Sequence, residues 1–220
     1  QLDERMDMRN NVFYNWGGNG CYGGEAMHVN IVNNYYKHGP RTMQRNMNIR
    51  KRIACVGIRT ESYIAQYADY APTLHMWGTY FVDGNVNSKY SDVTSDNWTY
   101  GVYNQVSASD NDGLWNDEIK AQIKLDAPID FITTTTHSAE AAYAKVVQYA
   151  GASLHRDSYD ATMVYDVENE DASYTGRLNT PGFVGKAPAA LVEKEREKLQ
   201  ANRDKLAAVK ARVAELKESL

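Results

Sequence analysis

Cysteine is nearly absent: Cys21 and Cys55 are the only two in 220 residues. Two thiols cannot build a disulfide framework or a cysteine-based zinc site. They read as small core residues, with a single bridge open to them in an oxidising compartment. No apolar run approaches the ~20 residues that span a bilayer. Nor does a basic start lead into an apolar stretch, so no secretion signal is visible; the chain opens on Gln1, in mid-element. Neither sign of charge prevails. The formal net charge of −4 argues against a dedicated nucleic-acid binder. His28, His38, His75, His137 and His155 lack metal-ligand spacing and read as surface or packing residues. No nucleophile-elbow glycine pattern supports a Ser/His/Asp set.

What is abundant is Tyr, Asn, Thr and Gly. "MDMRNNVFYNWGG" from Met6 and "VNIVNNYYKHGP" from Val29 are two copies of one pattern. Aligning Asn10-Asn11 with Asn33-Asn34 puts Asp7 over Asn30, Met8 over Ile31, Val12 over Tyr35 and Phe13 over Tyr36. The offset is about 23 residues, inside the window of solenoid repeats. Apolar residues alternate on the approach to each Asn pair, as strands require, and the Asn and β-branched content disfavours helix. "TYFVDGNVN" is a weaker third copy that brings Asn85 beyond an insertion. Asn tolerates left-handed backbone angles at bends, and stacked amides hydrogen-bond from coil to coil. These features predict a mainly β fold: a partial right-handed parallel β-helix with flanking helices and, after it, one long C-terminal α-helix.

Several stretches resemble the bacterial pectate lyases of polysaccharide lyase family one. They are Met8–Trp16, Tyr22–Glu25, Val32–Lys37 with Gly39-Pro40, Val82–Asn85, Asp96–Tyr103, Thr136–Ala161 and Ala172–Gly176. The resemblance covers roughly the first 176 residues and corresponds to the later coils of such an enzyme. It implies a secreted or periplasmic protein directed at polygalacturonate, cleaved by β-elimination. In the intact family calcium binds the uronate carboxylate and an arginine takes the neighbouring proton. A hard cation in an all-oxygen site stabilises the developing charge. The acidic calcium segment and that arginine lie upstream of the "MRNNVFYNW" coil in the family. No residue here matches them, so no catalytic residue and no cofactor is assigned to this chain.

Other candidates are weaker. Lys37 and Arg41 are the best cations for a uronate substrate, since cations pair with carboxylates. Trp16, Trp77, Trp98 and Trp115 either stack on sugar rings or pack at bends. "SASDNDGLWNDE" (Ser107–Glu118) has the acid density of a calcium loop. With Gly113 as the turn glycine, however, its first and last ligands would be Ala108 and Ile119, whose side chains cannot bind calcium. It reads as a solvated turn. Ser138 is placed to cap a helix with Ala142, Tyr143, Val146, Val147 and Ala150 on one face, ending at Gly151. A second flanking helix is expected from Ser158.

After a junction at 177–187 the composition changes to Ala, Lys, Glu, Arg and Leu. No Gly or Pro follows Pro188, so one helix is expected over 188–220. Val192, Leu199, Leu206, Val213 and Leu220 recur every seventh position, with Val209 and Leu216 between them, a stripe for helix–helix self-association. "NTPGFVGKAPAALVEKEREKL" (Asn179–Leu199) resembles the tRNA-binding arm at the C-terminus of valyl-tRNA synthetase. That resemblance implies Lys194, Arg196, Lys198 and Arg203 as tRNA contacts. The interleaved acids favour salt pairs on a wet surface instead. Three functions remain: a lyase-like fragment, a tRNA-binding or coiled-coil module, and a non-functional joining of two reading frames.

Overall fold

The structure, a computed structural model, describes residues 3–106, 115–131 and 134–172, together with Glu193, Arg196, Glu197, 199–201, 203–205, Ala207 and Ala208. Two compact units divide the chain, Gln1–Ser153 and Leu154–Leu220.

The first unit winds through three coils. Strands β1 (Arg5–Arg9), β2 (Val12–Tyr14) and β3 (Tyr22–Gly23) make the first. Strands β4 (His28–Val32), β5 (Tyr35–Lys37) and β6 (Ala54–Val56) make the second, and β7 (Thr79–Asp83), β8 (Val86–Asn87) and β9 (Val102–Asn104) the third. Every third strand pairs in parallel, giving three stacked sheets: A (β1-β4-β7), B (β2-β5-β8) and C (β3-β6-β9). This is a β-helix-like solenoid. The register has Asp7 on Asn30, Met8 on Ile31, Val12 on Tyr35 and Phe13 on Tyr36, as the repeat requires.

Alternation along each strand fills the interior. Val29, Ile31, Tyr80 and Val82 enter from sheet A, Tyr36 from sheet B, and Ile53, Ala54 and Val56 from sheet C and its approach. Phe13 and Tyr36 stack at 4.6 Å. Longer connections leave between sheets B and C, as helices α1 (Pro40–Met43) and α2 (Met47–Arg50), then α4 (Ser91–Ser95) and α5 (Asn97–Gly101). Another runs between β6 and β7, through α3 (Glu61–Gln66) and a 3-10 turn at Ala68–Thr73.

At the bend from sheet A to sheet B the asparagines form a continuous ladder. The Asn11 amide donates to Asn34 Oδ1 at 2.9 Å, Asn34 to Asn85 at 2.9 Å, and Asn85 to Asn97 at 3.0 Å. Each acceptor also receives the backbone N–H of the preceding ladder residue. The last step is unexpected from the repeat: Asn97 opens α5 rather than a strand and sits only 12 residues beyond Asn85.

The residue before each of the first three ladder asparagines is left-handed: Asn10 (φ 59), Asn33 (φ 52) and Gly84 (φ 68). Because Asn serves twice in this column, the angle alone does not demand glycine at the third position. A Cβ on Gly84 would, however, lie 1.8 Å from Asn33 Oδ1. Gly84→Ala is expected to cost about 2 kcal/mol, from alanine held at a left-handed φ and from displacing the Asn33 amide that bonds the His137 carbonyl, and a urea unfolding curve checks it.

The end of this unit straps the coils together. Helix α6 (Asp117–Ile123) closes the third coil, buries Ile123, and passes Lys124 into a parallel bridge with Tyr80. The chain then crosses the outer face of sheet A. Ile129 exchanges backbone bonds with the Asn30 amide (2.9 Å each way), and His137 N–H donates to Asn10 Oδ1 at 2.9 Å. Helix α7 (Ala139–Tyr149) follows, capped by Ser138 and ending before Gly151. It lies on β5 and β2, with Tyr143 stacked on Tyr35 at 4.6 Å.

Both cysteines are free. Cys55 shares its register with Tyr22, while Cys21, one residue earlier, packs against the core, so strand alternation sends the thiols to opposite faces. Burial pushes the Cys21 thiol up to about 11 and raises Cys55 as well. Neither is expected to react with iodoacetamide at pH 8 until the protein is denatured, which mass spectrometry of the alkylated protein reads.

In the second unit, α8 (Ser158–Asn169) is capped by Asp157, whose carboxylate accepts from Tyr159 and Asp160 N–H, and ends at a left-handed Glu170. The helix lies in the unit Leu154–Leu220. Every described residue from Glu193 to Ala208 is helical. Leu199 is the one member of the heptad stripe among them. Val192, Leu206, Val209, Val213, Leu216 and Leu220 lie outside the described residues.

Candidate functional site

The expected substrate cations occupy different settings. Lys37 ends β5 on the face that α7 covers, its ammonium 5.3 Å from the Tyr143 ring centroid. Arg41 lies in α1, where its N–H donates to Asn15 Oδ1 at 2.7 Å. Its guanidinium lies over Gly17, where a Cβ would meet Nε at 2.1 Å. Of the arm residues, Arg196 pairs with Glu193 at 3.6 Å and Arg203 is an exposed helical residue, whereas Lys194 and Lys198 lie outside the described residues. So does 107–114 of the acidic stretch; its remainder opens α6, with Asn116 capping Ile119 and Asp117 bonded to Lys120.

His28 and His75 meet the exposed carboxylates of Asp3 and Glu61 at 2.9 and 3.0 Å. His38 is fully buried between Ser88 Oγ and the Arg50 carbonyl, against the rings of Trp16 and Tyr90. Trp16 itself is in the core and donates to the Ile49 carbonyl at 2.7 Å, which removes it from any sugar-stacking surface. Calcium would need several oxygens converging on one point. Among the described residues no three His, Cys, Asp or Glu side chains are grouped to hold a metal.

Two hollows flank sheet C. The first, about 520 Å³, is bounded by Gly23, Gly24, Glu25, Arg59, Tyr63 and Gln105, among others. The Glu25 carboxylate is 4 % exposed, accepts from Gln105 Nε2 at 3.0 Å and pairs with Arg59 at 3.4 Å. Arg59 is in turn clasped by the rings of Tyr63 (4.3 Å) and Tyr70 (4.7 Å). A buried acid matched this closely by a cation is structural: it fastens the β6–β7 insertion onto the coil. Gly23 and Gly24, both at φ 84, let the backbone turn tightly here, and Tyr80 Oη donates to the Gly23 carbonyl at 2.7 Å.

The second hollow, about 530 Å³, lies at the far edge of sheet C, along the last strand β9. Trp98 from α5 and Trp115 beside α6 contribute aromatic surface, Tyr103 a phenol, and Arg52, Lys120 and Asn48 polar groups. Arg52 lies 5.3 Å over the Tyr103 ring and donates to Asn19 Oδ1 through Nη1. Lys120 and Lys124 face the Trp115 and Trp98 rings at 5.6 and 5.9 Å. Lys51, next in chain, bonds Asp92 and faces Tyr90 and Tyr100. That contact holds the Lys51 ammonium protonated above its ordinary range and the Asp92 carboxyl below its own. The region is cationic and ring-lined, the surface that anionic sugars need.

Two kinds of protein share sequence with this chain. A protein named "Probable pectate lyase C" from Aspergillus flavus is 28% identical over 167 residues, 74% of this chain and 32% of that protein. Its namesake from Aspergillus terreus is 27% identical over 168 residues, again 74% and 32%. The chain is similar to pectate lyases. These relatives are fungal, where the motifs had pointed to bacterial enzymes, and the chain spans about a third of their length. The family model described as "Valyl tRNA synthetase tRNA binding arm" matches residues 164–217. That match opens inside α8, upstream of the arm-like wording at Asn179.

Sequence reading gave no role to Glu25, Arg52, Arg59 or Asn104. Glu25 was in view within "YGGE". Arg52 ends the run Arg50-Lys51-Arg52, a cationic signal whose meaning depends on tryptophans 46 and 63 positions later that only the coil brings alongside.

Proposed function

We propose that the first unit is the later-coil portion of a pectate-lyase-like solenoid directed at polygalacturonate, and that this chain alone does not carry the cleavage chemistry. One observation carries the reading. The stretches that resemble pectate lyases stack as successive coils, joined by the amide ladder Asn11–Asn34–Asn85, and 74% of the chain aligns with the two curated relatives. The absence of matching acids and base among these residues supports the second clause. Such a role places the protein outside the cell, secreted or periplasmic; among the described residues no helix is long and apolar enough to cross a membrane.

Incubated with polygalacturonate and calcium, the purified chain is expected to produce no ultraviolet absorbance of unsaturated uronates above a protein-free control. Turnover abolished by a chelator would overturn the inactive half of the proposal.

A second reading rests on the arm match at 164–217: a tRNA-binding or helix-pairing segment. Salt-sensitive tRNA binding lost on deleting residues 187–220 would establish it. The mild acidity of the chain and the Arg196–Glu193 pair weigh against it. Two relatives with such different roles also fit a joining of unrelated reading frames. Sequencing the transcript across residues 164–179 decides that.

A further inference from the structure

The connection between β2 and β3 holds the one asparagine in the sequence that is followed by glycine, Asn19-Gly20. Asparagine is chemically labile because the backbone nitrogen of the next residue can attack its side-chain amide carbon. A side chain on that next residue obstructs the approach. Glycine removes the obstruction and opens more backbone angles. Nucleophile and electrophile sit on adjacent residues, so the attack has the advantage of proximity.

The surroundings favour this step at Asn19 and oppose it in the ladder. Asn19 is exposed in an irregular stretch, with Gly17 and Gly18 just before it. Among the described residues neither Gly20 N–H nor Asn19 Nδ2 donates a hydrogen bond, so attacking nitrogen and leaving group are both unclaimed. The ladder amides are buried and bound twice: Asn34 Nδ2 donates to the Met8 carbonyl and Asn85, Asn85 Nδ2 to the Ile31 carbonyl and Asn97. Asn19 Oδ1 instead accepts from Arg52 Nη1, and the Tyr103 ring, 5.3 Å from that guanidinium, steadies it. A cationic donor on the carbonyl oxygen draws electrons from Cγ and stabilises the oxyanion of a tetrahedral intermediate.

We propose that Asn19 is a self-modifying site, a deamidation centre at which the fold supplies Arg52 as activator and as counter-charge for the product. Gly20 N gives its proton to hydroxide and bonds to Asn19 Cγ. The Cγ–Nδ2 bond then breaks and ammonia leaves. Water opens the resulting cyclic imide, to aspartate or to the isomer whose main chain runs through the side chain. The formal net charge of −4 becomes −5 in each converted molecule. The new carboxylate meets Arg52, so an ion pair replaces a charge-to-neutral bond between the β2–β3 connection and the residues before β6. Nothing in this depends on the pectate-directed reading.

Peptide mapping by mass spectrometry of the full chain, incubated at pH 8, tests it. Asn19 is expected to convert before any other asparagine. Gly20→Ala is expected to slow it at least about tenfold. Its added Cβ would meet nothing closer than 3.5 Å and φ there is not left-handed, so this variant folds. Arg52→Gln is expected to slow conversion about tenfold in the folded protein and not at all in urea, where Arg52 no longer meets Asn19. Thermal unfolding shows whether each variant is folded. Arg52→Lys, which keeps the cation, is expected to fall between and serves should Arg52→Gln fail to fold. Another asparagine converting first would overturn the site. Folded variants at position 52 that convert as fast as the unaltered chain, or that are slowed equally in urea, would overturn activation by the fold.

Discussion

Replacing Asn34 by alanine is expected to destabilise the first unit by about 3–5 kcal/mol, enough to lower its melting temperature by about 10 °C. Asn34 is fully buried, and its amide serves two coils at once. Oδ1 accepts from Asn11 N–H and Nδ2, while its own Nδ2 donates to Asn85 Oδ1 and to the Met8 carbonyl. Alanine leaves these groups without their partner, and the Asn85 end of the cluster is fully buried. The effect should grade along the ladder. Asn11, at the exposed end, donates to Asn34 and to the Arg9 carbonyl, and Asn11→Ala is expected to cost about 1 kcal/mol because solvent reaches it. Urea unfolding of the two variants side by side gives the comparison. Equal costs would mean that the ladder does not hold the coils together.

The second large effect is expected at Glu25. Breaking a buried ion pair from one side typically costs about 3–5 kcal/mol, since the remaining charge stays behind without its counter-charge. Glu25→Ala strands the Arg59 guanidinium, although the Tyr63 and Tyr70 rings that clasp it recover part of the loss. A cost of about 3 kcal/mol follows, at the low end of that range. Glu25→Gln preserves shape and the bond from Gln105 and should cost about half as much. Because Arg59 ties the β6–β7 insertion to the coil, hydrogen exchange should accelerate over 60–76 in Glu25→Ala before it changes in sheets A and B. Uniform acceleration everywhere would show that the pair supports the whole unit rather than that insertion.

How much of this was legible before any coordinates depended on spacing. No insertion interrupts the first coil between Asn11 and Asn34, so these asparagines recur 23 residues apart and the strand register could be written down from the text. Between Asn34 and Asn85 the interval stretches to 51 residues, and the third coil was correspondingly faint. Asn97 was hidden for a different reason. It completes the ladder from a helix N-terminus, where no strand alternation announces it, and its local surroundings read only as "SDNWTYG".

Helix α7 was readable because its cap, apolar face and terminating glycine are all local. Its place on sheet B was not, since the Tyr143–Tyr35 stack joins residues far apart in sequence. The same limit explains the candidate site. Lys37 was singled out by its position after the asparagines, but the chain returns over it with α7. Arg52 matters through Tyr103, Trp98 and Trp115, which a one-dimensional reading cannot place beside it.

The claim on which the rest stands is that residues of successive coils lie side by side, in parallel, at the bend from sheet A to sheet B. Nuclear Overhauser contacts in isotope-labelled protein test it most directly. The account predicts contacts from the Asn34 side-chain amide protons to Asn11 and Asn85, together with parallel-type amide contacts joining Val12, Tyr35 and Val86. Strong inter-strand α-proton pairs of the antiparallel kind in these segments, with no contact between Asn34 and Asn85, would contradict it.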